Sequence, residues 1–194
     1  MAMLGQTPSQ TVGPYFAYGL LPKQYGYDLR SIAGPKLAQA DTEGEHIRIE
    51  GRVFDGNGEP IPDAMIEIWQ ADALGRYANQ HGANAPFMGS GRCGTGTAPN
   101  HCYWFDTIKP GAVDGDQAPH VNVIVFMRGM LVHAFTRLYF SDEDAANSRD
   151  PALQSVPADR RSTLIAGRIA APTGPLYRFD IRMQGPHETV FFDA

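Results

Sequence analysis

The sequence predicts a mainly β protein, a two-sheet β-sandwich with an extended N-terminal arm and a few short helices. Three observations point there. Short stretches alternate apolar and polar residues with the period of two that a half-buried strand requires. The 21 glycines and 15 prolines favour many turns over long helices. Strand-like segments recur at turn-rich intervals, as they do in sandwiches. A chain of 194 residues suits one domain over 1–194, able to bury roughly 70% of its unfolded surface. Within it, 1–44 reads as arm and irregular region and 45–194 as the sandwich core with its short helices.

Residues 7–16 (TPSQTVGPYF) carry two prolines and a glycine without periodicity. They read as an extended arm that packs on its own domain or on a neighbour. Residues 19–44 remain irregular, which inside a compact domain signals function or an interface. The first clear strand is His46–Phe54 (HIRIEGRVF), followed by the turn DGNG. Residues 64–70 (AMIEIWQ) form a second strand with Met65, Glu67 and Trp69 on one face. Glu67 is expected in a buried polar network, with a half-exposed face as the alternative. Residues 71–97 are loop-rich and end in the glycine-dense GSGRCGTGT; Cys102–Ile108 (CYWFDTI) is the next strand, closed by Lys109, Pro110 and Gly111.

Residues 118–140 (APHVNVIVFMRGMLVHAFTRLYF) are two apolar, β-branched-rich runs meeting at Arg128 and Gly129. They read as a tight hairpin at the centre of a sheet. His120, Asn122, Ile124 and Phe126 then share one face, and Val121, Val123, Val125 and Met127 the other. Two histidines at i and i+2 would suggest a metal site; this chain has one histidine and one asparagine. Two short helices are expected beyond the hairpin. One follows Ser141 as a weak cap before Ala145 and Ala146, and the other runs from Pro157 to about Gly167. Residues 176–183 (LYRFDIRM) and 189–192 return to strands.

A formal net charge of −5 argues against nucleic acid or an anionic membrane as the main partner. Cys93 and Cys102 read as reduced thiols of a cytoplasmic protein, because the start MAMLGQTPSQ has no signal-peptide pattern; a disulfide is the alternative. No run reaches the ~18 apolar residues of a membrane helix. No Ser-His-Asp or Cys-His set can be assembled, and the glycine run lacks the strand–helix context of a phosphate loop.

GPYF, EIWQAD with GRY after it, GRC, TIKPG, PH-x-N, RLYF, YRFDI and T-x-FF occur in this order. Together they resemble the intradiol ring-cleaving dioxygenases over almost the whole chain. The resemblance implies a two-sheet sandwich, a non-haem ferric ion and, in some members, oligomers of αβ protomers. It also implies four iron ligands, two tyrosinates and two histidines. Hard phenolate oxygens stabilise Fe(III), and imidazoles complete the sphere. The matching positions here are Tyr77, Val113, His120 and Asn122, so two of the four have lost their ligand. The arginine preceding the first histidine becomes Gln117, and the glutamine before LYF becomes Arg137.

The resemblance therefore implies an α chain that holds no metal and is inactive alone, with Fe(III) carried by a partner β subunit. It places Arg128 at the carboxylate of a small aromatic substrate, where a planar, permanently charged guanidinium is suited to the task. Thr11, Gly13 and Pro14 are expected along the same substrate pocket, with Tyr15 beside them. Two alternatives stay open from the sequence: a homomeric dioxygenase with a rearranged iron site, and a non-catalytic β-sandwich binding or scaffold module.

Overall fold

A computed structural model describes residues 8–13, 15–83, 86–114, 116–172 and 174–193. Nine strands form it: β1 His46–Phe54, β2 Met65–Gln70, β3 Ser90–Gly94, β4 Cys102–Ile108, β5 His120–Phe126, β6 Ala134–Phe140, β7 Ile165–Ala171, β8 Gly174–Arg178 and β9 Ile181–Arg182. Three short helices accompany them, α1 Phe16–Leu20, α2 Asp144–Asn147 and α3 Pro151–Ser155, with a 3-10 turn at Arg161–Leu164. The strand order is β3-β2-β5-β6-β7-β8-β1-β4, with β9 on β1.

Two layers arise because β7 changes partner along its length. Its first residues, Ile165 and Ala166, run parallel to Tyr139 and Phe140 of β6. From Gly167 onward it pairs antiparallel with β8. Alternation then fills the space between the layers. Ile47 and Ile49 of β1, Ile66 and Ile68 of β2, Phe105 of β4, Val121, Val123 and Val125 of β5 and Tyr177 of β8 share one buried cluster. A second cluster of Ala118, Tyr139, Leu153, Val156 and Leu164 lies under the helices.

The open side, where edge strands β3 and β4 approach, is closed by residues 34–38. Gly34 O accepts from Arg92 N of β3 at 3.3 Å, while Pro35 O accepts from Asp106 N of β4 at 2.9 Å and Leu37 N donates to Asp106 O at 2.8 Å. Gly91 leaves room for this: a Cβ there would lie 2.5 Å from Leu37 Cδ1 and 2.9 Å from Gly34 O. Trp104 N–H of β4 also donates to Cys93 Sγ of β3 at 3.5 Å.

The structure matches the expected β1 and β4 and shifts or replaces several other elements. The arm is not wholly extended, since Phe16–Leu20 is helical. The glycine-dense run contains β3, held by its pairing with β2 from Met65↔Gly94 to Trp69↔Ser90. The hairpin is not tight, because residues 127–133 form a loop between β5 and β6. Ser141 does not cap α2, whose N-terminus has no side-chain cap; its hydroxyl accepts from Arg168 N instead. Of the helix expected from Pro157 to about Gly167, the 3-10 turn Arg161–Leu164 forms, while a helix not expected begins at Pro151. Asp150 caps it by accepting from Leu153 N, and proline occupies its first turn. The expected helix end at Ile165 is a strand because β6 offers it a ladder. The strand expected at 176–183 breaks at Phe179 and Asp180 into β8 and β9. At 189–192 only a single bridge, Phe135↔Phe192, survives. Glu67 sits on the half-exposed outer face and pairs with Arg92 at 2.6 Å rather than in a buried network. Cys93 and Cys102 are unbridged, and burial pushes the Cys93 thiol up to about 11. Among the described residues no helix is long and apolar enough to cross a membrane.

Candidate functional site

The outer face of β2, β5 and β6 carries two polar groupings. At the first, Tyr77 arrives on the loop after β2. Gly75 makes that approach possible: its φ is +78°, and a Cβ there would lie 1.9 Å from Ala112 O. A left-handed glycine is needed on both counts. Asp72 braces the turn, accepting from Leu74 N at 2.9 Å and Arg76 N at 3.0 Å. Tyr77 then lies against Trp69, ring centroids 4.4 Å apart.

Strand alternation brings His120 and Asn122 to the same place. His120 Nδ1 lies 2.8 Å from Ala118 O. A carbonyl only accepts, so Nδ1 carries the proton and Nε2 is left as an acceptor. The Tyr77 hydroxyl faces that nitrogen at 3.4 Å and accepts from Asn122 Nδ2 at 3.0 Å. Asn122 also donates to Trp69 O at 3.3 Å. Burial lowers the His120 pKa, against the opposing hydrogen bond to Ala118. Burial likewise raises that of Tyr77, opposed by the Asn122 hydrogen bond and the Arg137 charge. Both effects favour a neutral phenol and a neutral imidazole. Val113 is buried beside them on a small hairpin bridged to Gln117.

These residues do not fit a ferric ion. Val113 has no donor atom. The Asn122 NH2 points its hydrogens at the phenol oxygen a metal would need, and His120 and Tyr77 already satisfy one another. Beneath them Asp150, fully buried, accepts from Ala118 N at 2.9 Å, the Tyr139 hydroxyl at 3.0 Å and Leu153 N at 2.8 Å. It fixes the backbone that holds His120. One faint signal of this role is the Asp150-Pro151 pair, typical of a helix start.

The second grouping is at the other end of β5, ~20 Å away at the strand rise per residue. Arg128 lies on the 127–133 loop with 54% of its side chain exposed, and its Nε is held by Asp63. Among the described residues the terminal nitrogens of the guanidinium make no hydrogen bond. Thr11 of the arm accepts from Gly129 N at 2.9 Å, so arm and loop are joined. Gly13 O accepts from Phe16 N at 3.2 Å at the entry to α1, and Tyr15 is 77% exposed, its ring 5.7 Å from that of Tyr18. Pro14 lies outside the described residues. The structure thus unites Tyr77, Val113, His120 and Asn122 at one end, joins Thr11 to the Arg128 loop at the other, and keeps the two sets apart. Asp63 had no sequence signal, because its partner is 65 positions away.

A family model described as "Dioxygenase_C: Dioxygenase" matches residues 31–185. The chain is 56% identical to the protocatechuate 3,4-dioxygenase alpha chain of Burkholderia cepacia, over 100% of both chains. The chain belongs to the intradiol ring-cleaving dioxygenase family. Within that family it is also 43% identical to the alpha chain of the Pseudomonas putida enzyme, over 98% of each. Its identity to the beta chain from Burkholderia cepacia is lower, 35% over 75% of this chain and 67% of the other. Among solved intradiol-family structures, the dioxygenase domain of a carbohydrate-binding fusion from Streptomyces sp. SirexAA-E superposes with a TM-score of 0.61. It has 21% identity and covers 95% of this chain and 100% of that one. At that identity the likeness speaks for the fold alone.

Proposed function

We propose that this chain is the alpha, non-iron subunit of a protocatechuate 3,4-dioxygenase. In this reading it completes the substrate pocket of a beta subunit in an oligomer of αβ protomers. The assembled enzyme opens 3,4-dihydroxybenzoate with O2 between its two hydroxyl-bearing carbons, giving 3-carboxy-cis,cis-muconate. The observation that carries the reading is the division of the outer face. Of the residues at positions matching the iron ligands, Tyr77, His120 and Asn122 bond to one another, while at the far end, among the described residues, Arg128 is held through Nε and its terminal nitrogens make no hydrogen bond. Full-length identity to alpha chains supports it.

Here Fe(III) belongs to the beta subunit, and this chain contributes recognition and positioning. Arg128 meets the substrate carboxylate, with Asp63 fixing its Nε so that the fork is presented in one orientation. Thr11, Gly13 and Tyr15 form the wall beside it, tied to the loop through Thr11. The oligomer works in the cytoplasm. The homomeric alternative finds no support in a donor set lacking two ligands, nor the scaffold alternative in an arginine held ready for an anion. Iron content and visible absorbance of the chain alone and with a beta subunit test the proposal. The expected result is a colourless, iron-poor chain alone and a coloured complex with one iron per αβ pair. Stoichiometric iron in the solitary chain would overturn it.

A further inference from the structure

The space above Tyr77 is open. A cavity of about 400 Å³ is lined by Trp69, Tyr77, Val113, Ile124, Phe135 and Arg137, among others. Its volume is within the range of small-molecule sites. One side is an aromatic wall, with Trp69 46% exposed and stacked obliquely on Tyr77. The other carries the Arg137 guanidinium. Arg137 donates to the neutral Gln117 Oε1 at 3.2 Å and lies against Tyr139, yet among the described residues it makes no ion pair with a carboxylate. Of the two carboxylates on the wall, Glu67 is paired with Arg92, while Asp114 lies close enough for its charge to act on the Tyr77 phenol and makes no ion pair with Arg137 among the described residues. A planar fork with spare donors facing a flat aromatic wall suits a flat ligand bearing an anionic group.

We propose that this cavity is a second, metal-free binding site for small planar organic anions of the benzoate class. The ring lies against Trp69 and Tyr77, and the carboxylate meets Arg137. The site stands on this chain's own cavity and holds whether or not the subunit reading does. It is distinct from the Arg128 end, ~20 Å away along β5.

The test uses the full chain, with any subunit that co-purifies with it, titrated with benzoate and with uncharged benzamide. Trp69 emission and calorimetric heat are both followed. The expected result is saturable binding of benzoate, one site per copy of this chain beyond any at an iron centre, with benzamide at least tenfold weaker. Trp69→Phe should silence the emission change, and Arg137→Gln should weaken this site at least tenfold. If Arg137→Gln does not fold, Arg137→Lys, which keeps the charge but loses the fork, should still weaken binding several-fold. Absence of the additional site, equal binding of benzamide, or unchanged affinity in a folded Arg137 variant would overturn the proposal. Ring cleavage measured on the same sample reports separately on the subunit reading.

Discussion

The two ends of β5 treat polar side chains in opposite ways. At the His120 end Tyr77, His120 and Asn122 bond to one another and to the backbone, and burial favours the neutral form of both titratable rings. At the Arg128 end a charge stands half-exposed, held through Nε alone among the described residues, beside an arm with an exposed tyrosine. Satisfied polar groups in low dielectric stabilise a fold and offer little to a ligand. A half-anchored charge does the reverse, retaining bonding capacity for something outside the chain. The lesson is that side chains at positions matching a family's metal ligands can close on one another while a charge at the other end of the same strand keeps bonding capacity.

The contrast is sharpest where a single residue supports the closed end. Asp150→Ala would orphan Ala118 N, Leu153 N and the Tyr139 hydroxyl together, a loss of about 3 kcal/mol or more. A fall in Tm of about 10 °C is expected from thermal unfolding, with substrate affinity changed only through lost protein. An unchanged Tm would show that the buried network does not support the fold. The open end should respond in the other currency: Arg128→Ala in the αβ enzyme should raise KM by roughly 5- to 150-fold, about 1–3 kcal/mol, with kcat little altered and Tm unmoved. Steady-state kinetics with an unchanged KM would remove Arg128 from the substrate site. Thr11→Val deletes the acceptor for Gly129 N–H and a long, exposed contact to Val12 O, so about 1 kcal/mol or less and a few-fold in KM are expected.

The smallest effect is titrational. Burial lowers the His120 pKa below its ordinary 6.5, so the unfolded chain binds the proton more readily than the folded one. The contribution of neutral His120 is therefore complete above pH 6.5 and is lost as pH falls from there towards the folded value. Denaturant melts between pH 7 and 5 should show a decline that His120→Gln reduces. Equal slopes for the two proteins would mean His120 is not desolvated.

Much of this division was legible in the sequence. Alternation placed His120 and Asn122 on one face, and the span of β5 separates them from Arg128. The extents of β1 and β4 follow from strict alternation and strong turn residues. What stayed hidden depends on distant partners. The Ser90–Gly94 strand has two glycines in five residues and little propensity of its own; its pairing with β2 makes it a strand. Asp63 and Asp150 look like ordinary loop aspartates until folding brings Arg128 and Ala118 to them. The misplaced helix turned on two Asp/Pro-containing stretches six residues apart, only one of which puts an aspartate at the cap.

Residues 34–38, formally an irregular segment, occupy hydrogen-bonding positions on Arg92 and Asp106 of both border strands. An uncovered border strand is a template on which a foreign backbone can add itself and extend the ladder. With that row taken by the chain's own backbone, a neighbouring polypeptide must recognise this side of the molecule through side-chain shape and charge. The same short stretch thus guards against indiscriminate polymerisation.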